Sequence, residues 1–136
     1  ALACQMLLYP VTDRNFDTAS YLNYADGYFL SRDAMIWYWN HYLARDEDAN
    51  DPYAAPLRAK DLSQLPPAIV LTAECDPLCD EGLEYGERLR VNGTEVIALH
   101  APGLIHGFLR RPDFFPESET MLAELAAKCR SVLNDM

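Results

Sequence analysis

The sequence has few basic residues and no long apolar run. Its 11 Lys and Arg residues are scattered among 21 Asp and Glu residues, and the formal net charge is -10. Nucleic-acid binding depends on clustered Lys and Arg, so no nucleic-acid partner is predicted. No stretch is long and apolar enough for a membrane span, and the first residues lack the basic region of a signal peptide. The sequence therefore predicts a cytoplasmic location.

Cysteine is also sparse, with only Cys4, Cys75, Cys79 and Cys129 present. Four cysteines do not make a dense disulfide framework, and two of them lie inside apolar periodic segments, so reduced thiols are predicted. Cys75 and Cys79 have no second cysteine pair and no nearby His pair, which is why no metal site is predicted. No cofactor is predicted either.

A serine nucleophile motif is missing as well. No Gly-x-Ser-x-Gly occurs, and no serine has a glycine two positions away on both sides; the five serines are Ser20, Ser31, Ser63, Ser118 and Ser131. A nucleophile elbow of the hydrolase type requires that pattern. The sequence therefore predicts no nucleophile of this kind within residues 1–136.

What is present is an alternation of apolar runs and helical patterns. The runs at residues 4–9, 68–73 and 95–100 are short and nearly continuous, as in buried parallel strands. The connections between them are long enough to cross over, so the predicted fold is α/β, a parallel sheet with helices on both faces. The chain begins with Ala and enters its first strand almost at once, so we expect it to be part of a longer domain.

Three helices are predicted from apolar spacing and capping residues. The first follows Ser31 and extends to about Ala44. The second has Asp76 as N-cap and Pro77 at its first position, and its inner face contains Leu78, Gly82, Tyr85, Gly86 and Leu89. Two glycines on that face predict a close approach to the sheet. The third is a closing amphipathic helix over residues 121–133, and residues 10–30 and 46–67 are predicted to be irregular.

Two polar residues follow predicted strands at the same edge of this sheet, Asp76 after the second strand and His106 after the third. Ligands of such sheets bind beyond the carboxyl ends of the strands. A catalytic His needs a carboxylate that fixes its tautomer, and Asp76 is the candidate. Asp76 is also explained as an ordinary N-cap, and its two oxygens could do both. His106 is also explained as a structural histidine, although Gly103 and Gly107 predict a tight loop that presents it.

The other candidates have simpler interpretations. His41 and His100 are predicted to be structural, and Asp80 and Glu81 are predicted to complement the helix dipole. Cys75 is not predicted to be a nucleophile, because its neighbour is acidic. The aromatic residues of the first helix are predicted to form a packing face, with a pocket wall as the alternative; they are Trp37, Tyr38, Trp39 and Tyr42.

The motifs of the chain resemble, in order and spacing, the hormone-sensitive-lipase-like branch of the α/β-hydrolases. The central ones are Glu74-Cys75-Asp76-Pro77-Leu78 and Gly103-Leu104-Ile105-His106-Gly107-Phe108. The full set of matching segments lies at residues 6–13, 27–30, 35–39, 51–57, 65–68, 72–78, 80–82 and 103–108.

The resemblance implies that residues 1–136 are the C-terminal portion of one esterase or lipase domain. Asp76 would be the acid and His106 the general base of a Ser-Asp-His triad, with the serine and the Gly-rich oxyanion loop upstream of this chain. Leu104, Ile105 and Phe108 would be apolar walls of the substrate pocket. The chain alone is expected to be inactive, and with its missing half to cleave small acyl esters. Cys75 and Cys79 depart from the family, which more often has an aromatic and a basic residue there.

Two alternatives remain open at this point. One is a non-catalytic small-molecule receptor with the hydrolase fold, against which the presence of His106 argues. The other is a peptidase fragment of the prolyl-oligopeptidase type, which the Asp-Pro-Leu and Asp-Glu-Gly motifs disfavour. The first strand would leave an apolar edge exposed, so a companion chain or self-association is expected. The resemblance implies a homodimer through the opposite edge, near residues 95–100.

Overall fold

A three-stranded parallel sheet organises the protein, which we describe from a computed structural model over residues 2–134. The strands lie side by side in chain order: β1 (Gln5–Leu8), β2 (Ala68–Cys75) and β3 (Val96–Ile105). Both pairings are parallel, with Ala68 opposite Gln5 on one side and Val96 on the other. The predicted parallel sheet is confirmed, with β2 at its centre.

Four helices connect or follow the strands: α1 (Ala19–Asn23), α2 (Arg32–Tyr42), α3 (Cys79–Val91) and α4 (Glu117–Asn134). The three predicted helices are confirmed, and Ser31 caps α2 by accepting from the Ala34 amide. Helix α1 was not predicted, because five residues are too few to show a helical period. Residues 46–67 include two short 3₁₀ helices, Asp46–Asn50 and Pro56–Arg58. Within residues 2–134, no helix is long and apolar enough to cross a membrane.

The core lies on both faces of β2, because alternate side chains of a strand point to opposite sides. Ile69 and Leu71 pack with Leu125 and Val132 of α4 on one face. On the other face Val70 packs with residues of α3 and of the connection before β2; this cluster includes Ala68, Leu57, Leu62, Tyr85 and Leu89. A third cluster joins α1 and α2 to the start of α3, through Tyr21, Met35, Trp39, Ala55 and Leu78. The predicted helices on both faces are thus confirmed.

Helix α3 approaches the sheet most closely at Gly82. A Cβ atom at this position would lie 2.9 Å from Cγ2 of Thr72, whereas one at Gly86 would meet Val70 at an ordinary 3.7 Å. All five residues of the predicted inner face of α3 are buried. The close approach predicted from the two glycines is therefore real, and Gly82 is the residue that permits it.

Candidate active site

Asp76 and His106 follow the strands directly, since β2 ends at Cys75 and β3 ends at Ile105. Strand β3 is longer than predicted because it continues through a bulge. Ala101 pairs with Ala73 and Ile105 with Cys75, so three residues of β3 lie opposite the single residue Glu74. The predicted tight loop at residues 103–107 is therefore wrong: its first part belongs to the strand.

Two glycines with positive φ shape this part of the chain. Gly103 has φ of 68° within the bulge, and its amide donates to Oε2 of Glu74 at 2.6 Å. Gly107, with φ of 74°, begins a 3₁₀ turn at Phe108–Arg110. Left-handed backbone of this kind favours glycine. The two glycines thus set the path of the chain on either side of His106, although in a bulged strand and a turn rather than in one loop.

Asp76 is 1% exposed, and both of its carboxylate oxygens are bound. Its Oδ2 lies 2.8 Å from Nδ1 of His106, and its Oδ1 accepts from the Leu78 amide at 2.9 Å. The predicted N-cap position is two residues early, because Leu78, with ψ near 1°, occupies the N-cap position of α3 and Cys79 is its first residue. Asp76 instead closes the tight turn that precedes the helix. One oxygen holds this turn while the other faces His106.

His106 is held from two sides. The carboxylate of Asp76 accepts a hydrogen bond from Nδ1–H, which leaves Nε2 with its lone pair. The ring of Tyr9 packs against the imidazole at a centroid distance of 4.6 Å and an angle of 57°. With 23% of its side chain exposed, His106 also borders a cavity. The imidazole is therefore oriented with one nitrogen bound and the other available.

Tyr9 is a residue of the site that sequence reasoning missed. It follows β1 directly, with an unusual φ of 39°, and its amide donates to the Leu71 carbonyl at 2.6 Å. Burial raises the pKa of its hydroxyl; Arg110 opposes this effect and Asp76 adds to it. The available signal was its place at a strand end, on the same edge of the sheet as Asp76 and His106.

Ser20 fastens the turn at Asp76 to the first turn of α3. Its hydroxyl donates to the Pro77 carbonyl at 2.7 Å and accepts from the Asp80 amide at 3.2 Å. Its own amide donates to Oδ2 of Asp80 at 2.8 Å. Ser20 thus provides the amide acceptor that an N-cap residue would otherwise supply. It comes from α1, which sequence reasoning placed in an irregular loop.

Glu81 lies in the first turn of α3 as predicted. It is only 2% exposed, however, and it accepts hydrogen bonds from backbone amides outside the helix. Its Oε1 accepts from the amides of Thr12 at 2.6 Å and Asp13 at 3.2 Å. Burial raises the pKa of Glu81 to about 8, against the two backbone hydrogen bonds, and the nearby carboxylates Asp13 and Asp76 add to the increase. Glu81 therefore ties the segment after β1 to the helix that follows Asp76.

A cavity of about 880 Å³ borders His106, and its walls are mostly apolar and aromatic. Tyr38, Trp39 and Tyr42 of α2 contribute to it, so the predicted packing face is largely a cavity wall. The other lining residues are Val11, Phe29, Leu30, Met35, His41, Tyr53, Ala54, Pro56, Leu78 and Arg110. An apolar space beside one oriented imidazole can receive a small organic ligand.

The three predicted pocket residues lie elsewhere. Leu104 and Phe108 are buried in the core cluster that packs on α4, and Ile105 pairs with Cys75 at the end of the sheet. The described lining of the cavity includes none of the three. The prediction of these walls is corrected, because the bulge in β3 changes which side chains face the core.

The remaining candidates have structural partners. Nδ1 of His100 lies 2.9 Å from Oγ1 of Thr72, and Nδ1 of His41 lies 2.8 Å from the Trp37 carbonyl, as expected of structural histidines. All four cysteines are free in the structure, and burial raises the pKa of Cys79 to about 11. In the described part of the chain, no three His, Cys, Asp or Glu side chains are grouped to hold a metal ion.

The chain matches a known protein family. The family model of the alpha/beta hydrolase fold matches residues 1–110. Ethyl acetate hydrolase of Pseudomonas putida is 35% identical over 115 residues, which are 85% of this chain and 36% of that protein. The carboxylic ester hydrolase LipN of Mycobacterium tuberculosis is 42% identical over 107 residues, 77% of this chain and 28% of that protein. The chain thus spans about a third of the length of these curated relatives.

Solved structures of esterases indicate the same family. The carboxylesterase EstE1, cloned from a metagenomic library, superposes with a TM-score of 0.91 at 38% identity, over 97% of this chain and 46% of that one. An ester hydrolase from the metagenome of Lake Arreo gives a TM-score of 0.86 at 44% identity, over 92% and 40%. Relatives of this kind favour the esterase interpretation over the receptor and peptidase alternatives. The chain belongs to the α/β-hydrolase fold family, in its branch of hormone-sensitive-lipase-like carboxylesterases.

Proposed function

We propose that this chain is the C-terminal portion of the catalytic domain of a carboxylic ester hydrolase. In this proposal Asp76 and His106 are the acid and the general base, and a serine outside residues 1–136 is the nucleophile. The observation that carries the proposal is the 2.8 Å hydrogen bond between a buried carboxylate and an imidazole that borders an apolar cavity. The similarity to ester hydrolases supports the same assignment.

The reaction follows from the orientation of His106. The serine hydroxyl attacks the ester carbonyl while Nε2 of His106 takes its proton, and Asp76 stabilises the resulting imidazolium through Nδ1. The imidazolium then gives this proton to the departing alkoxide, which leaves an acyl-serine. Water attacks the acyl group with His106 again as base, and the carboxylic acid and the serine are released.

The proposed substrates are small acyl esters. A cavity of about 880 Å³ with aromatic walls has room for a compact acyl or alcohol group next to His106. An ethyl acetate hydrolase among the relatives is consistent with a small substrate. Oxyanion donors belong to the same proposal and also come from outside residues 1–136.

The proposed assembly uses the edges of the sheet. In the described sheet, β1 and β3 each have only one neighbouring strand. Met6 of β1 is 43% exposed, so a companion strand there would cover apolar surface. A homodimer through β3 is the other proposed contact, and sedimentation over a range of concentrations tests both. Four free thiols support the proposed cytoplasmic location.

The proposal is tested by ester hydrolysis in two polypeptides, the 136-residue chain and the complete esterase that carries this sequence. We expect no turnover of a short-chain ester by the chain and measurable turnover by the complete enzyme. His106→Ala should lower kcat by about six orders of magnitude. His100→Ala is the matched control, since the His100 side chain bonds to Thr72 and not to Asp76 or His106 in the described structure, and it should keep kcat within about twofold. Activity that survives His106→Ala would contradict the proposal.

A further inference from the structure

One buried titratable group near Asp76 has no part in the proposed reaction. Glu81 is 2% exposed, and its Oε2 is buried without a hydrogen-bond partner in the described structure. The fully buried hydroxyl of Tyr21 is likewise unpartnered. A buried oxygen without a partner is costly, and the cost is larger when the oxygen belongs to a charged group.

The surroundings of Glu81 disfavour a negative charge. The titratable groups that act on Glu81 and Tyr21 are Asp13 and Asp76, both acidic. Asp13 is already paired with Arg58 and Asp76 with His106, and in residues 2–134 no basic side chain pairs with Glu81. An ionised Glu81 would therefore place an uncompensated charge beside the carboxylate that serves His106.

Glu81 is also connected mechanically to Asp76. Its Oε1 binds the amides of Thr12 and Asp13, and the Thr12 hydroxyl donates to the Glu81 carbonyl at 3.0 Å. These bonds hold the segment after β1 on the first turn of α3. That turn continues directly from the one closed by Asp76, where the Cys79 amide donates to the Asp76 carbonyl at 3.0 Å.

We propose that Glu81 is a positioning residue for Asp76: a buried, protonated carboxyl that fixes the turn beside Asp76 without adding a second negative charge there. The inference rests on the proposed roles of Asp76 and His106. A protonated Oε2 carries no charge, so leaving it without a partner costs less than leaving an ionised oxygen there. Burial, which raises the pKa of Glu81 to about 8, agrees with this protonation state at neutral pH.

The test is an NMR titration of the 136-residue chain between pH 5 and about pH 10, which needs no turnover. In the wild-type chain the carboxyl carbon of Glu81 should remain at its protonated shift at pH 7. The His106 ring resonances should show a second inflection as Glu81 ionises, at about pH 8. Glu81→Gln keeps the acceptor for Thr12 and Asp13, and it should abolish this second inflection. Asp80→Asn, which changes the neighbouring carboxyl, should retain it.

Several outcomes overturn the inference. They are an ionised Glu81 carboxyl at pH 7, no second inflection in the wild-type chain, and an inflection that persists in Glu81→Gln. Amide exchange adds a readout of the mechanical link: the Thr12 amide should stay protected in Glu81→Gln and exchange at least tenfold faster in Glu81→Ala, and equal protection in both variants would contradict that link. Absence of esterase activity would bear on the proposed function alone.

Discussion

The two ends of helix α3 are held to the rest of the protein by different shares of polar and apolar contacts. At its start, Asp80 and Glu81 bind backbone amides from distant segments, and the preceding turn carries Asp76. Farther along, Tyr85, Gly86 and Leu89 lie on Val70 and its apolar neighbours. Arg88 adds hydrogen bonds to the carbonyls of Leu57 and Ala59, so apolar packing and one basic side chain hold this part of the helix. A helix that is held mainly by apolar packing is compatible with any α/β sheet. The start of the helix, its polar end, buries polar groups at a cost in desolvation free energy. That cost is explained by the geometry required beside His106.

The largest expected effect separates two carboxylates at the polar end. Asp76→Asn removes the charge that orients His106, so kcat of the complete esterase should fall by about four orders of magnitude. Asp80→Asn weakens a bond to the Ser20 amide but leaves His106 paired, and it should lower kcat by no more than about tenfold. Steady-state kinetics on both variants make the comparison. Equal losses would mean that Asp76 acts only as a structural residue.

The two glycines on the inner face of α3 provide a smaller, purely structural comparison. Gly82→Ala would force a Cβ to within 2.9 Å of Thr72, and we expect a destabilisation of about 1–3 kcal/mol. Gly86→Ala meets Val70 at 3.7 Å, so the better helix propensity of Ala should raise the free energy of unfolding by up to about 1 kcal/mol. Urea denaturation measures both. Similar effects at the two sites would show that α3 does not approach the sheet more closely at Gly82.

The pH dependence of the free energy of unfolding should reveal the contribution of Glu81 at the polar end of α3. Glu81 has an ordinary pKa of 4.5 when unfolded, and burial raises it to about 8 in the folded chain. Between these values the folded chain holds a proton that the unfolded chain has lost. Glu81 therefore lowers the free energy of unfolding as pH rises, by at most about 1.4 kcal/mol per pH unit.

Glu81→Gln should remove this contribution, which is measured by urea unfolding at several pH values between 5 and about 8. Leu89→Ala, at the apolar end, should lower stability by about 2–5 kcal/mol at every pH and leave the slope unchanged. An identical slope in the wild-type chain and in Glu81→Gln would contradict the assigned protonation.

Local signals explain what the sequence predicted well. The apolar run before Asp76 predicts β2, and the spacing of Leu78, Tyr85 and Leu89 predicts the buried face of α3. The Asp76–His106 pair was predicted because both residues follow strands at one edge of a parallel sheet, within motifs that resemble an esterase family. Periodicity and strand order require no knowledge of distant contacts.

The rest depends on contacts between residues far apart in the chain. Ser20 forms a hydrogen bond to Pro77, 57 positions away, and Thr12 forms one to Glu81, 69 positions away. No local sequence pattern predicts such bonds. The pocket walls were predicted wrongly for a related reason. Leu104 lies inside the bulge opposite Glu74, where the side chains of β3 do not alternate regularly between the two faces. Leu104 therefore lies in the core.

The most direct measurement is the protonation pattern of His106 in ¹⁵N-labelled chain at neutral pH. We expect a proton on Nδ1 that is hydrogen-bonded to Asp76, seen as a downfield proton signal coupled to that nitrogen and lost in Asp76→Asn. Nε2 would then be free to act as the base. A proton on Nε2 instead, or a ring whose signals do not respond to Asp76→Asn, would contradict the assignment of Asp76 and His106 as an acid–base pair.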